Sequence, residues 1–294
     1  MEFNNLSGIA KFQLTFQAAE ELYLPAYKGS VFHGSFGHAL MEIAPSWYHY
    51  FFPPDNSTAP KPYVLLPPLD GKTLYPSGHT FGCELTLIGK SAHHFALCQS
   101  AFEYLGNQMG IGRTRGKFKL KWVSVASTST SQPDLDTYIS TCGIPTKEII
   151  KSRVNLTSSD KITFHFITHL RLKEKNRLYG KIPSFSLFFA RLLGRLTRLS
   201  KAYGDGEFVS KPQKKELMNM AEKISIKNAE IKWDDWSRFS GRQKSWMKFG
   251  GLIGSVTYSG DFSPFIPFLA LGEWLHIGGK TSFGLGKYVM EEGE

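Results

Sequence analysis

No stretch of this sequence comes near the ~20 consecutive apolar residues of a membrane-spanning helix. Its start, Met1-Glu2-Phe3-Asn4-Asn5, has neither the basic opening nor the apolar core of a secretion signal. A membrane partner is therefore not expected. Cysteine is scarce: Cys83, Cys98 and Cys142 are far apart, odd in number and never in a Cys-x-x-Cys pair. That argues against a disulfide framework and suits a reducing cytoplasm, the expected location. His93, His94 and Cys98 offer zinc-type ligands, but no fourth stands at a workable spacing. No group of carboxylates has the look of a two-metal site. Neither a metal nor an organic cofactor is expected. A nucleoside-triphosphate loop is missing as well: Gly279-Lys280-Thr281 matches the end of one, but Trp274 stands where its first glycine is required.

Acid is in short supply in one half only. Residues 1–150 hold 11 Lys+Arg and 11 Asp+Glu, whereas residues 151–294 hold 24 and 14, so the whole net charge of +10 lies in the second half. A basic half joined to a neutral one points to a polyanion, of which nucleic acid is the usual example. With 294 residues and 41% hydrophobic composition, the chain can fill two cores of ordinary size.

The order of elements repeats. Lys11–Gln17 alternates as a half-buried strand. A helix is expected from an N-capping Ser30 to about Ala44, with Phe32, Phe36, Leu40 and Ile43 on one stripe. His38 falls about 145° from that stripe, and His33 lies on its flank. Strands around Tyr63–Leu66 and Phe81–Ile88, a helix Ser91–Leu105 and a strand Lys117–Val123 complete a β-α-β-β-α-β unit. A Ser/Thr/Pro-rich connector, residues 126–145, follows. The pattern then begins again with strand Lys161–Leu172, helix Ser184–Tyr203, strands Ile224–Trp233 and Gly251–Tyr258, a helix after Asp261 and a last strand to about Met290. The expected fold is α+β, two tandem ferredoxin-like domains over residues 1–135 and 136–294.

Three features suggest contact with a polyanion. The stretch Gly272–Gly286 holds a helix end, a basic hydroxyl-rich loop and repeated glycines. Successive peptide N–H groups in such a loop make a concavity suited to phosphate, with Lys280 and Lys287 beside it. The plainer alternative, a helix C-cap and a tight turn, uses only one or two of those glycines. On the helix Ser184–Tyr203, Arg191, Arg195 and Arg198 form a stripe that is either a solvated face or a phosphate-binding one. Upstream, Arg171, Lys173, Lys175, Arg177 and Lys181 are offset only by Glu174, which favours phosphate. Trp233-Asp-Asp-Trp-Ser-Arg-Phe-Ser-Gly-Arg242 mixes rings with Arg238 and Arg242, an arrangement that serves base stacking or core packing equally well. For catalysis, Tyr27, Lys28, His33 and His38 lie close in sequence. Histidine passes protons near neutrality, and lysine offsets charge building on phosphorus. His165 and His169 alternate on a strand and are read as packing residues, with His276 a weaker second candidate.

Four segments carry a resemblance: Leu24-Pro-Ala-Tyr-Lys-Gly-Ser-Val-Phe-His-Gly-Ser-Phe-Gly-His-Ala-Leu40, Gly110-Ile-Gly-Arg-Thr-Arg-Gly-Lys-Phe-Lys-Leu120, Arg238-Phe-Ser-Gly-Arg-Gln243 and Gly278-Gly-Lys-Thr-Ser-Phe-Gly-Leu-Gly-Lys-Tyr288. In this order and spacing the chain resembles the CRISPR-associated endoribonucleases that process precursor CRISPR RNA, the sixth Cas protein of the RAMP superfamily. The resemblance implies two ferredoxin-like domains and metal-independent cleavage of CRISPR repeat RNA, leaving a 2′,3′-cyclic phosphate. It implies catalysis by His38 with Tyr27 and Lys28, while His33 stands where relatives often carry an arginine that contacts phosphate. RNA contact is expected from Gly278, Gly279, Lys280, Ser282, Phe283, Gly284 and Gly286. Other Cas effector subunits are further expected partners. The alternative is a non-catalytic RAMP subunit that holds crRNA, and a third reading is a general RNA-recognition module.

Overall fold

The computed structural model describes residues 6, 8–54, 59–127, 133–240 and 245–293, with the side chains of 238–240 and 245–247 left aside. The chain forms two compact units. The first comprises Met1–Glu148, Arg198–Phe208 and Ser282–Gly284; the second comprises Ile149–Thr197, Val209–Thr281 and Leu285–Glu294.

In the first unit, β1 (Ile9–Ala18), α1 (Gly29–Ile43), β2 (Tyr63–Leu66), β3 (Thr80–Ile88), α2 (Phe95–Tyr104) and β4 (Phe118–Val125) succeed one another. The sheet runs β2-β3-β1-β4, all antiparallel. This is the ferredoxin-like order: the first helical crossover leaves a gap between β1 and β2 that β3 fills, and the second brings β4 to the other side of β1. The alternation in β1 sends Phe12, Leu14 and Phe16 into the core at 0% exposure. There Phe12 stacks on Phe95 of α2 with centroids 3.8 Å apart, and Phe36 of α1 stacks on Phe102 at 5.0 Å. Each ring buried in this way contributes about 2 kcal/mol of transfer free energy.

α1 begins one residue before Ser30, with Lys28 at the cap and no side-chain cap bond. The Lys28 carbonyl already accepts from Phe32 N–H at 3.0 Å. Gly29 has to be glycine, since a Cβ there would stand 2.0 Å from the Phe283 carbonyl oxygen.

The plan is repeated by β5 (Lys161–Leu170), α3 (Phe185–Tyr203, whose residues up to Thr197 belong to the second unit), β6 (Ser225–Asp234), β7 (Gly251–Ser259), α4 (Ile266–Leu275) and β8 (Tyr288–Glu292). The second unit's sheet runs β6-β7-β5-β8, again antiparallel and in the same order. Phe188, Leu192, Leu196 and Leu199 on one side of α3 are fully buried. The tandem ferredoxin-like reading therefore holds strand by strand.

Several short elements fall where none is expected. The helix Leu135–Ser140 falls inside the expected connector and belongs to the first unit, its Tyr138 ring edge-on to Phe12 at 5.6 Å. Lys173–Glu174 and Arg177–Leu178 form a hairpin turning through Lys175 and Asn176, both at positive φ. The helix Lys211–Ala221 opens with Ser210 and Gln213 bonded reciprocally in a capping box. Among the described residues no helix is long and apolar enough to cross a membrane.

Candidate active site

α1 presents His38 to solvent on the side away from its buried stripe. The imidazole lines an open cleft of about 810 Å³ within the first unit, together with Ser30, Ser35, Thr73, Gly112, Arg113 and Arg115. The two arginines stand on a tight turn closed by the Ile111–Gly116 bridge. The turn needs its glycines. At Gly110, φ +70, a Cβ would lie 1.9 Å from Arg115 O, and at Gly112, φ +80, 2.3 Å from Tyr23 O. Arg113 N–H donates to Tyr23 O at 3.0 Å, tying the turn to the segment ahead of α1. Both guanidinium groups are exposed, and among the described residues neither pairs with an acid. The cleft thus combines one group that can pass a proton with two fixed cations. Arg113 and Arg115 are not among the site residues expected from sequence, although they lie in the Gly110–Leu120 segment that carries part of the resemblance.

The other three expected catalytic residues are placed differently. Tyr27 donates its hydroxyl to Phe283 O at 2.7 Å, and burial pushes the phenol far above its ordinary value. Lys28, expected to face a reacting phosphate, has a side chain at 0% exposure. Its ammonium bonds Asp70 Oδ1 at 3.0 Å and Ala26 O at 3.1 Å. Tyr75 donates to both Asp70 oxygens at 2.7 and 2.8 Å. An uncompensated ammonium is costly to bury, so this sequence folds with the carboxylate beside it. Burial works to raise the Asp70 carboxyl, but hydrogen bonds from Tyr75 and Lys28, with the Lys28 charge, outweigh it and hold its pKa below the usual range. His33, on the flank of the apolar stripe, is 7% exposed. Its Nδ1 shares a 2.9 Å hydrogen bond with Tyr63 OH, and its ring lies 3.9 Å from that of Phe283. Of the four, His38 alone is open to a substrate.

The glycine loop divides in the same way. Ser282, Phe283, Gly284 and Gly286 are buried, whereas Gly279 and Lys280 are exposed and Gly278 is half-exposed. The positive φ at three glycines serves the protein's own packing. A Cβ on Gly278 would lie 2.5 Å from Arg171 O, on Gly284 2.6 Å from Pro67 Cδ, and on Gly286 1.8 Å from Ile277 O. Gly279 N–H donates to Arg171 O at 2.8 Å. The part of this loop open to solvent is thus Gly278-Gly279-Lys280, and the Lys280 ammonium lies 5.5 Å from the Phe249 ring centroid.

The arginine stripe of α3 is also split. Arg191 and Arg198 are exposed, but Arg195 is buried and spends its guanidinium on carbonyls at the end of α4. Its Nε donates to Leu275 O and His276 O at 3.1 Å each, and its Nη2 to Leu275 O at 2.8 Å. Arg238 lies on the short strand Ser237–Ser240, with its side chain outside the described residues, as is Arg242 altogether. His169 is buried and meets Asp234 Oδ2 at 2.7 Å, while His165 meets Glu291 Oε1 at 2.6 Å. His276 is buried, with Nδ1 3.2 Å from Leu285 O. Among the described residues no three His, Cys, Asp or Glu side chains gather as a metal site would require.

A family model described as CRISPR-associated endoribonuclease Cas6 matches residues 164–288. A second, described as an N-terminal domain, matches residues 6–141. No curated protein matches the chain. Among solved structures, a Thermus thermophilus Cas6 is 16% identical, with 97% of this chain and 98% of that one aligned at a TM-score of 0.61. A Cas6 product complex is 16% identical over 97% of this chain and 100% of that one, TM-score 0.64. A RAMP protein binding different RNA substrates is 11% identical over 96% and 100%, TM-score 0.51. At such identities the likeness to these structures is one of fold. Residues 164–288 thus resemble the CRISPR-associated endoribonuclease Cas6 family, and over nearly its whole length the chain shares the tandem ferredoxin-like fold of these Cas6 and RAMP structures.

Proposed function

We propose that the chain is an endoribonuclease that cuts CRISPR repeat RNA in precursor crRNA at the His38 cleft. The observation that carries this reading is an exposed imidazole lining one cleft with the unpaired guanidinium groups of Arg113 and Arg115. The substrate's own 2′-hydroxyl attacks the neighbouring phosphorus in line, and the bond from phosphorus to the 5′-oxygen breaks. A 2′,3′-cyclic phosphate and a 5′-hydroxyl result. His38 takes the proton of the 2′-hydroxyl or gives one to the departing 5′-oxygen. Arg113 and Arg115 offset the extra negative charge of the phosphorane. Tyr27 and Lys28 act at one remove, by fixing the turn from which α1 starts. The nucleophile is part of the substrate, so the reaction calls on orientation rather than on a metal-bound hydroxide.

The test is single-turnover cleavage of the repeat RNA from the protein's own locus. His38→Ala is expected to slow cutting by ~10²–10⁴-fold with little loss of binding. Excess EDTA should leave the wild-type rate unchanged, and a 2′-deoxy substitution just upstream of the cut should abolish the reaction. Cleavage of that deoxy substrate would sink the mechanism.

The second reading is a RAMP subunit that binds crRNA without cutting it. The sequestration of Tyr27, Lys28 and His33 favours it, because three of the four groups offered for catalysis are already engaged within the protein. Protection of the repeat RNA without cleavage would support this reading.

A further inference from the structure

The His38 cleft also has an apolar lining that the cutting chemistry does not use. Tyr23, Leu24, Pro25, Val31 and Leu74 form it. Two of these are large and strongly exposed, Tyr23 at 43% and Leu74 at 40%. They are cross-strand partners: Leu22–Tyr23 and Leu74–Tyr75 pair antiparallel, with Tyr23 opposite Leu74. Residues directly opposite in such a pair project to the same side.

The footing of this pair is rigid. Leu22 and Tyr75 are fully buried beneath it, and Leu24 N–H donates to Thr73 O at 2.9 Å. The Tyr23 hydroxyl donates to Glu21 Oε2 at 3.0 Å, and the Tyr23 carbonyl accepts from Arg113 N–H at 3.0 Å. The residue that offers an aromatic ring therefore also anchors the turn that carries two cations. An exposed ring and an aliphatic side chain in one cleft with two guanidinium groups match the two chemistries of one unpaired nucleotide. Its base has a face to stack, and its phosphate has charge to neutralise. A paired base has both faces covered by its own duplex and gains nothing from such a wall.

We infer that Tyr23 and Leu74 form a platform for the base of a nucleotide flanking the scissile phosphate, so that this cleft selects an unpaired nucleotide at the cut. The inference rests on the endoribonuclease reading of the same cleft and adds to it the substrate feature that the cleft recognises. Holding the base would also fix the ribose for in-line attack, a geometry that a continuous stack does not present.

Two readouts test it. In the first, repeat RNA made uncleavable by a 2′-deoxy group carries 2-aminopurine at each flanking position in turn. Wild-type protein is expected to quench the fluorescence at one of them, Tyr23→Ala to lose the quench, and Tyr23→Phe to recover most of it. This readout works whether or not the protein cuts. In the second, Tyr23→Ala is expected to slow single-turnover cleavage about 10-fold, the scale of one lost stacking contact. The same variant should add no further slowing on RNA that lacks the base at that position. Full quenching by Tyr23→Ala, or independent effects of the variant and of base removal at both flanking positions, would overturn the platform. If the wild type cuts normally while both readouts fail, the platform falls and the endoribonuclease reading stands. If the quench holds and the wild type never cuts, the base site stands and the cutting reading falls.

Discussion

The ammonium of Lys28 and the carboxylate of Asp70 meet at 3.0 Å, the lysine side chain wholly out of solvent and the aspartate about a third exposed at 34%. This pair fixes the turn before α1 from a loop 42 residues further on. Removing one member of a fully buried pair costs about 3–5 kcal/mol. The exposure of Asp70 reduces that, so Asp70→Asn is expected to lose about 2 kcal/mol of stability at neutral pH. The folded carboxyl lies below its ordinary value of 3.8. Its contribution is thus fully present above that value and is lost as pH falls through the lower, folded one. In urea unfolding, the gap between wild type and Asp70→Asn should close as the pH is lowered through this range. A gap independent of pH would assign the loss to something other than the ion pair.

Arg195 and its two neighbours on α3 should behave oppositely. Arg195→Ala leaves the Leu275 and His276 carbonyls without three hydrogen bonds in a buried setting. A loss of about 2–4 kcal/mol is expected, visible as a lowered Tm. The double variant Arg191→Ala/Arg198→Ala should keep its Tm, weaken RNA binding and reduce the slope of log affinity against log salt by up to ~1.4, the share of two phosphates on a single strand. An unchanged slope would leave those two arginines as an ordinary solvated face.

Glycines of the C-terminal loop should separate by the same logic. Gly284→Ala forces a Cβ into positive φ, 2.6 Å from Pro67 Cδ and 3.0 Å from Leu65 O. A destabilisation of about 1–3 kcal/mol is expected from the backbone strain, more if the contacts cannot relax. At Gly279 the nearest atom to an added Cβ is Arg171 O at 3.7 Å, an ordinary contact. Gly279→Ala should therefore fold as the wild type does, so any fall in its RNA affinity reports close approach of the ligand. Equal melting temperatures for wild type and Gly284→Ala would contradict the packing argument.

Arg113→Ala and Arg115→Ala are expected to leave stability intact, since both guanidinium groups stand in solvent. Each should slow single-turnover cleavage by about 10²-fold, the order of one lost donor to a developing charge. A variant that weakens binding while cutting at the wild-type rate when saturated would move that arginine from the reacting phosphate to a neighbouring one.

The alternation along β1 and the buried stripe of α1 were legible because burial acts on side chains a fixed period apart. Recurrence of the same strand order in both halves made the topology legible as well. Placement of single polar residues was not, because it depends on partners far along the chain. Arg195 is indistinguishable by spacing from Arg191 and Arg198, and only the end of α4, 80 residues away, separates it from them. Lys28 gives no sign in its own neighbourhood that Asp70 will neutralise it. The glycines at 278, 284 and 286 have the spacing of a ligand-binding loop, yet the atoms that crowd them are Arg171 O, Pro67 Cδ and Ile277 O. Backbone that must pass close to something looks alike in sequence whether that something is a ligand or the protein itself.

The hydrogen bond from Tyr27 to the Phe283 carbonyl joins residues 256 positions apart, and Ser282–Gly284 are counted in the unit that carries His38. That unit therefore cannot be finished when its own strands have left the ribosome. It waits for a segment made after most of the second unit, and contacts of such long sequence separation are slow to form. During synthesis, the turn ahead of α1 can gain the Lys28–Asp70 pair early, but it lacks the Tyr27–Phe283 bond until residue 283 has been made. A chain ending before residue 283 would carry His38 on a helix whose start keeps one of its two ties, the Lys28–Asp70 pair, and lacks the other.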